Sequence, residues 1–262
     1  MHEDVKDMKQ ILAKTRRSAT LPSSDTVVQQ MPLKPAVFHG RDVIIEEITQ
    51  LLIEETSRVC ILGAGGMGKT SVSLGVVEQP LIKTRFLSEN IVWVPRIEGT
   101  SATLLEILST QLQVPGNTGQ ATIEKIVSLL AATSTQPRLI LLDNFETPYN
   151  ALDGAQKQVE DTLRRLAMLS HVAIIVTMRG RYPPCDEAIK WQLKEIQPTD
   201  EAASLLIYHS IYPESENDPD ISRLLGILGH MPFAVTLMAR LAKEGQSTAK
   251  EGVNSSMVRE RA

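Results

Sequence analysis

The segment Arg58–Thr70, RVCILGAGGMGKT, decides the fold, because a short β-branched apolar run breaks there into closely spaced glycines. Its second part, Gly63–Thr70, fits the pattern G-x-x-x-x-G-K-[ST]. Glycines let successive backbone N–H groups converge on phosphate oxygens, and the helix that follows adds the positive end of its dipole. We therefore predict a phosphate-binding loop in which Lys69 reaches the β- and γ-phosphates and the Thr70 hydroxyl ligates Mg²⁺.

A carboxylate for the same metal ion is predicted at the end of a later strand. The run RLILLD, residues 138–143, is apolar up to Asp143, and an aspartate in this place holds Mg²⁺ through water in P-loop enzymes. A strand-end aspartate often does no more than cap the next loop, but its pairing with the glycine-rich loop favours the metal role. A strand-and-helix unit around IVWV (91–94) separates the two motifs, which suits P-loop ATPases that insert a strand between them.

Strand and helix patterns alternate along the middle of the chain. Besides the run before Gly63, buried strands are predicted at 91–94, 138–143, 172–177 and 191–196. Short apolar strands that alternate with helices form a parallel sheet covered on both faces. The predicted fold is thus α/β, a doubly wound parallel sheet that occupies residues 36–197 as the nucleotide-binding domain.

The remaining segments are assigned by their patterns. After Pro198 only helical patterns occur, so residues 198–244 are predicted to form a small helical subdomain. Residues 1–35 combine a short amphipathic helix with a linker rich in Ser, Thr and Pro, and this arm is either a mobile tail or the remnant of an upstream helical domain. Residues 245–262 lack apolar periodicity and are predicted to be disordered.

Composition excludes several classes of function. The net charge of −4 argues against a general polyanion binder, and aromatic residues, at 4%, are too few for base-stacking platforms, so we expect no nucleic-acid partner. No apolar run reaches the about 18–20 residues of a membrane span, and the N-terminus lacks the apolar core of a signal peptide. The two cysteines, Cys60 and Cys185, lack metal-ligand spacing. We predict a cytoplasmic protein with reduced cysteines and no membrane partner.

Elimination favours adenine as the base of the bound nucleotide. A GTPase needs the guanine-reading pattern N-K-x-D, but no Asn in this chain is followed by Lys, and no D-x-x-G occurs either. The transporter signature S-G-G-Q is missing as well. We therefore predict ATP or ADP, together with Mg²⁺, as the cofactor.

Further segments resemble the STAND class of signalling ATPases, which includes the NB-ARC and NACHT domains of plant resistance proteins, animal apoptosis scaffolds and fungal NLR-like incompatibility proteins. VFHGRD (37–42) resembles the motif before the P-loop, LILLDNFE (139–146) the Walker B strand, VTMRG (176–180) the strand-end sensor and GHMPFAV (229–235) the G-L-P-L-A motif. The stretch LKEIQPTDEAASLL resembles the segment that opens the helical module of that class. Together with the P-loop, the likeness covers roughly residues 36–244.

The resemblance implies roles for individual residues. Phe38 and Arg41 would line the adenine site, Arg179 would sense the γ-phosphate, and Pro232 would pack on the adenine. The bland alternatives are a solvated loop arginine and an ordinary first-turn helix proline. The implied nucleotide-binding set is Phe38, Arg41, Gly63, Ala64, Gly65, Gly66, Met67, Gly68, Lys69, Thr70, Ser71 and Pro232, the catalytic set is Lys69, Asp143, Glu146 and Arg179, and the metal ligands are Thr70 and Asp143.

Two departures from the family pattern affect the predicted chemistry. Many hydrolytic relatives place a second acid directly after the Walker B aspartate, but Asn144 stands there, and an amide cannot take a proton from water. Glu146, where NACHT-type members carry an acid, is either the general base or an ordinary loop glutamate. The family also continues into a winged-helix module that is missing from this sequence before Ala262, so the chain resembles a C-terminally truncated member.

The leading hypothesis is an ADP/ATP-dependent molecular switch of the STAND type in intracellular signalling, defence or cell death, with slow or absent hydrolysis. One alternative is a P-loop ATPase that turns over to do chemical or mechanical work. Another is a nucleotide-binding partner of a longer STAND protein, with which, or with a second copy of itself, the chain would associate. Steady-state turnover separates the first two, since a switch hydrolyses far below the about 1–100 s⁻¹ of kinases.

Overall fold

The structure is a computed structural model that describes residues 31–55, 57–95, 101–114, 120–149, 155–185 and 187–246. The helix predicted within residues 1–17, most of the linker that follows it, and the end of the chain after residue 246 lie outside these described residues.

Five strands form one parallel sheet. They are β1 (Arg58–Leu62), β2 (Ile91–Val94), β3 (Arg138–Leu142), β4 (Val172–Met178) and β5 (Gln192–Glu195). Their order is β2-β3-β4-β1-β5, and every neighbouring pair is parallel. Because β4 lies between β1 and β3, the carboxyl ends of these three strands meet at one end of the sheet, where the glycine-rich loop and Asp143 begin.

Helices cover both faces of this sheet and form a separate cluster after it. The first group comprises α1 (Asp42–Glu54), α2 (Lys69–Val77), α3 (Pro80–Arg85), α4 (Ser101–Gln111), α5 (Gln120–Ala132), α6 (Glu146–Tyr149) and α7 (Ala155–Ala167). The second comprises α8 (Glu201–Ile211), α9 (Ile221–Ile227) and α10 (Pro232–Lys243). Among the described residues, no helix combines the length and the apolar character that crossing a bilayer requires. The predicted α/β class, a parallel sheet with helices, is confirmed.

Alternation of side chains along the strands explains why the sheet is covered on both faces. One face packs against α4, α5 and α7 through Cys60, Leu62, Ile140, Leu142, Ile174 and Val176. The other packs against α1, α2 and α3 through Val59, Ile61, Leu139, Leu141, Ala173 and Ile175. The helices after β5 have an apolar core of their own, made by Ile207, Tyr208, Ile221, Leu224, Leu225, Val235 and Ala239.

Two short helices were missed by the periodicity of the sequence. α3 has Pro80 in its first turn and is only six residues long, and α6 has four residues. Helices this short carry too few apolar positions to produce a periodic signal. Glu146 therefore begins a helix rather than lying in an irregular loop. Both cysteines are buried as reduced thiols, and burial raises the pKa of the Cys185 thiol to about 11.

Candidate nucleotide-binding site

The glycine-rich loop lies at the carboxyl end of β1 and turns directly into α2. Gly63, Gly66 and Gly68 have φ values of 149°, 80° and 87°, in the region that only glycine adopts without strain. At Gly63 a Cβ atom would lie 2.8 Å from the Ile196 carbonyl oxygen, because β5 runs alongside the loop. The loop geometry is thus fixed by its glycines and by the neighbouring strand, with backbone N–H groups leading into the N-terminus of α2.

Lys69, the first residue of α2, folds back over the loop. Its Nζ atom donates to the carbonyl oxygens of Gly63 and Ala64, both at 2.8 Å. Burial lowers the pKa of Lys69, while the carboxylates of Glu146 and Asp143 act in the opposite direction. Phosphate oxygens are charged and bind an ammonium group more strongly than neutral carbonyls do. The position and partners of Lys69 therefore suit an exchange of these carbonyls for a phosphate.

Asp143 lies opposite the first turn of α2, at the end of β3. Its Oδ1 atom accepts hydrogen bonds from the hydroxyls of Thr70, at 2.7 Å, and Thr177, at 2.6 Å. A hydroxyl and a carboxylate this close form the hard, oxygen-only donor pair that Mg²⁺ prefers, with waters and phosphates completing the shell. The residues present therefore fit a magnesium ion, which Thr70 and Asp143 would hold.

Glu146 and Arg179 form an ion pair beside the loop. Arg179 donates its backbone N–H to Glu146 Oε2 at 3.2 Å, and its Nε lies 3.3 Å from Oε1. The arginine side chain is 63% exposed, whereas that of Glu146 is 15% exposed, so the guanidinium is open to solvent while the acid is largely covered. A Cβ atom on Gly65 would lie 3.3 Å from the guanidinium carbon, which places Arg179 over the phosphate loop.

Arg41, the residue before α1, links the glycine-rich loop to the chain after β5. One guanidinium nitrogen donates to the carbonyl oxygens of Met67, at 3.2 Å, and Gln197, at 2.8 Å. Burial lowers the pKa of Arg41, and the negative charge of Asp200 opposes this shift. Because its nitrogen is engaged by two carbonyls, Arg41 supports the loop and the chain after β5.

The helical cluster contacts the loop directly through the first turn of α10. The Phe233 N–H donates to the Gly66 carbonyl at 3.1 Å. A Cβ atom on Gly66 would lie 3.1 Å from both Met231 Sδ and Phe233 Cβ, so only glycine fits under this helix end. The carbonyl therefore points at the positive end of the α10 dipole, which strengthens the contact.

A cavity of about 600 Å³ opens between the loop, the segment before α1, and helices α8 and α10. Its size falls in the range of small-molecule sites. The apolar end includes Val37, Phe38, Ile207, Ile211 and Pro232. Its polar end is formed by Gly65, Gly66, Gly68, Lys69, Thr70, Ser71, Thr177 and Arg179. The cavity is therefore apolar where a base would lie and rich in N–H and hydroxyl donors where phosphates would lie.

The family model for the novel STAND NTPase 1 family, nSTAND1, matches residues 32–199, which is more than half of the chain. The chain belongs to this STAND NTPase family. The match includes the loop, Asp143, Glu146 and Arg179, and it ends before α8. The finer likeness to NB-ARC and NACHT domains stays a prediction.

A curated relative of this STAND NTPase is much longer than the matched region. An uncharacterized WD repeat-containing protein of Nostoc sp. is 28% identical over 128 residues, which are 45% of this chain and 10% of that protein.

Solved structures share the fold at low sequence identity. A Walker-type ATPase of Pyrococcus abyssi aligns with a TM-score of 0.59 and 12% identity, covering 89% of this chain and 75% of that one. The ORC1 protein of Aeropyrum pernix, solved in complex with DNA, aligns with a TM-score of 0.61 and 16% identity over 86% of this chain and 66% of that one. Identities this low establish the fold, a P-loop ATPase architecture, and no more.

In this STAND NTPase the structure brings most of the residues predicted from sequence into one place. Gly63 and Ala64 are not among the residues that line the cavity, and their carbonyl oxygens accept hydrogen bonds from Lys69. Phe38, Arg41, the loop from Gly65 to Ser71, Arg179 and Pro232 line the cavity, and Asp143 and Glu146 adjoin it through their bonds to Thr70 and Arg179. Sequence reasoning missed Thr177, Phe233, Thr236 and Arg240, which also line it. Thr177 was detectable as a strand-end hydroxyl next to the sensor segment, whereas the α10 residues depend on how that helix docks.

Proposed function

We propose that this STAND NTPase is an ADP/ATP-dependent switch, in which the nucleotide and Mg²⁺ bind at the glycine-rich loop and the helical cluster responds. The observation that carries the proposal is the hydrogen bond from Phe233 N–H to the Gly66 carbonyl, which joins the helical cluster to the phosphate loop. Residues of both parts line the cavity, so a nucleotide bound there would contact both. A ligand that touches two parts of a protein shifts their equilibrium by its difference in affinity for the two arrangements.

The base is adenine, held at the apolar end of the cavity. Phe38 lies there half-buried, with Lys34 Nζ 5.5 Å from its ring centre, and Pro232, at the start of α10, lines the same cavity. Both side chains offer flat apolar surface to a purine. Arg41 acts at this end by holding the loop and the chain after β5, and its contribution to base binding is indirect.

Arg179 is the group by which ATP and ADP are distinguished. In the structure it is paired with Glu146 and lies over Gly65. A γ-phosphate would offer negatively charged acceptor oxygens to this well-exposed guanidinium, which binds charged oxygens strongly. ATP therefore draws Arg179 away from Glu146, whereas ADP leaves the pair intact.

Hydrolysis is slow or absent. The residue after Asp143 is Asn144, which cannot act as a base, and the nearest acid, Glu146, is engaged twice by Arg179. Glu146 becomes available as the general base only when Arg179 has moved. The chemistry that Mg²⁺ supplies when bound is neutralisation of charge on the β- and γ-phosphates.

The biological setting is intracellular signalling or defence, and the proposed partners are a second copy of the chain or a longer STAND protein. Membership of the STAND NTPase family and the resemblance to the STAND class of signalling ATPases support this setting. The proposed compartment is the cytoplasm. No nucleic-acid partner is proposed, since the chain carries a net charge of −4.

The test is a distance measurement between the sheet domain and the helical cluster in each nucleotide state. Spin labels on cysteines placed at Lys83 and Glu216, both exposed, report on the two parts, while Cys60 and Cys185 are buried and react slowly. A switch gives different distance distributions with ADP and with a non-hydrolysable ATP analogue, and the Lys69→Ala control gives neither change.

The same protein, assayed for phosphate release, separates the switch from the alternative of a turnover ATPase. Identical distances in the two states together with turnover of about 1–100 s⁻¹ would establish a working ATPase and end the switch proposal.

A further inference from the structure

Thr177, the sixth residue of β4, forms several hydrogen bonds with the turn that carries Asp143, and no sequence motif predicts them. It is 2% exposed, and its hydroxyl donates to Asp143 Oδ1 at 2.6 Å. The same hydroxyl accepts the Asn144 N–H at 3.0 Å, and the Thr177 carbonyl accepts the Phe145 N–H at 2.9 Å. One residue thus holds three consecutive residues at the end of β3.

We propose that Thr177 is a positioning residue for the metal-binding carboxylate of Asp143. This inference rests on the proposed function, because it concerns the Mg²⁺ that accompanies the nucleotide. Thr177 does not touch the ion. It acts by fixing the rotation of the carboxylate and the course of the backbone that carries it.

The first argument is the hydrogen-bond capacity of a hydroxyl. Thr70 and Thr177 both donate to Oδ1, and among the described residues Oδ2 has no protein hydrogen-bond donor. The terminal torsion of an aspartate is broad, so the carboxylate turns easily unless donors hold it. The Thr70 hydroxyl can donate its proton to Asp143 and still bind a metal through its lone pairs. The orientation of this hydroxyl then depends on the ion. Thr177 is the donor that stays in place before and after the metal arrives.

The second argument is the left-handed backbone next to Asp143. Asn144 has a φ of 54°, a conformation that Asn adopts more readily than other non-glycine residues and that local hydrogen bonds stabilise. Those hydrogen bonds are the two that Thr177 accepts from the N–H groups of Asn144 and Phe145, and one that the Asn144 side chain donates to the Thr147 hydroxyl at 3.0 Å. Because Glu146 begins α6 directly afterwards, Thr177 also sets where that acid lies.

The test compares Thr177→Val, which keeps the shape and removes the hydroxyl, with wild type and with Thr177→Ser. The readout is the magnesium gain, defined as the dissociation constant of fluorescent mant-ATP in EDTA divided by that in Mg²⁺. We expect Thr177→Val to lose about tenfold in magnesium gain, the usual effect of losing a hydrogen bond to a charged group. The ratio cancels any change in nucleotide affinity that does not depend on Mg²⁺. Thr177→Ser keeps the donor and restores the gain.

Thr162→Val is the matched control. Thr162 is also 2% exposed, and its hydroxyl bonds the Gln158 carbonyl at 2.8 Å inside α7, away from the site. The Thr162→Val substitution removes an equally buried hydroxyl and should leave the magnesium gain unchanged. Circular dichroism melts establish that each variant folds. If Thr177→Val does not fold, Thr177→Cys replaces it, because a thiol of similar size is only a weak donor.

The outcomes separate this inference from the proposed function. A wild-type magnesium gain in a folded Thr177→Val or Thr177→Cys protein overturns the positioning role, and so does an equal loss in Thr162→Val. A wild-type protein that binds mant-ATP identically in Mg²⁺ and EDTA overturns the magnesium site itself. Loss in Thr177→Val with rescue by serine establishes the role, because a merely structural threonine would lower the melting temperature and leave the ratio unchanged.

Discussion

Replacing Gly66 by alanine tests whether the helical cluster must sit on the phosphate loop for nucleotide to bind. The added Cβ meets Met231 Sδ and Phe233 Cβ at 3.1 Å, and the residue keeps a φ of 80°. The sulfur is the end of a flexible side chain and moves easily, but Phe233 Cβ is attached to the backbone of α10. The helix end must therefore retreat, and its hydrogen bond to the Gly66 carbonyl lengthens.

The expected magnitude has two parts. The left-handed backbone costs an alanine about 1 kcal/mol, and overpacking at a well-packed contact costs typically about 1–3 kcal/mol. Gly245→Ala is the matched control, because Gly245 has a φ of 69° and open space where its Cβ would go. Only the contact part distinguishes the two variants. If the overpacking destabilises the docked position of α10 on the loop by about 1.4 kcal/mol, nucleotide binding weakens about tenfold in Gly66→Ala relative to Gly245→Ala.

The assay is titration of fluorescent ADP and ATP analogues into both variants, with thermal unfolding followed by circular dichroism. We expect similar folded spectra, a lower melting temperature for Gly66→Ala, and the tenfold difference in affinity. Equal affinities and equal melting temperatures for the two variants would refute the reasoning, because the α10 contact would then contribute nothing to the site.

Three further predictions concern the loop and the acid beside it. Lys69→Ala should weaken ATP binding about a hundredfold, because charge-assisted hydrogen bonds are lost. The circular dichroism spectrum should stay unchanged, since Lys69 is outside the apolar core. Wild-type affinity would contradict the loop's role. Glu146→Gln should keep nucleotide binding and slow any phosphate release, and equal release rates would exclude Glu146 as the base. Burial lowers the pKa of Lys69, and a bound phosphate would raise it, so nucleotide binding takes up a proton. Affinity should therefore fall as pH rises, and the fall should begin below the ordinary titration range of lysine. Lys69→Ala should lack this alkaline loss, and an identical pH profile in that variant would assign the titration to another group.

Local patterns in the sequence determined the fold class and most of the candidate site. The apolar runs at β1, β3 and β4 predict buried strands because neither face of the sheet is exposed to water. The segment from Gly63 to Thr70 predicts a phosphate loop because its glycines, lysine and threonine act within one turn of chain. These are short-range properties, and the structure and the family match agree with them.

Contacts between distant segments were decided only by the tertiary structure. Asp143 reaches Thr70 across 73 positions in the chain, and Thr177 reaches Asp143 across 34, because parallel strands bring their carboxyl ends together in an order that the sequence does not spell out. The docking of Phe233 on Gly66 depends on the packing of a whole helical cluster. Arg41 is engaged by two backbone carbonyls, a use that no motif predicts. Sequence patterns report the preferences of neighbouring residues, whereas these contacts arise from the way the sheet and the helices pack.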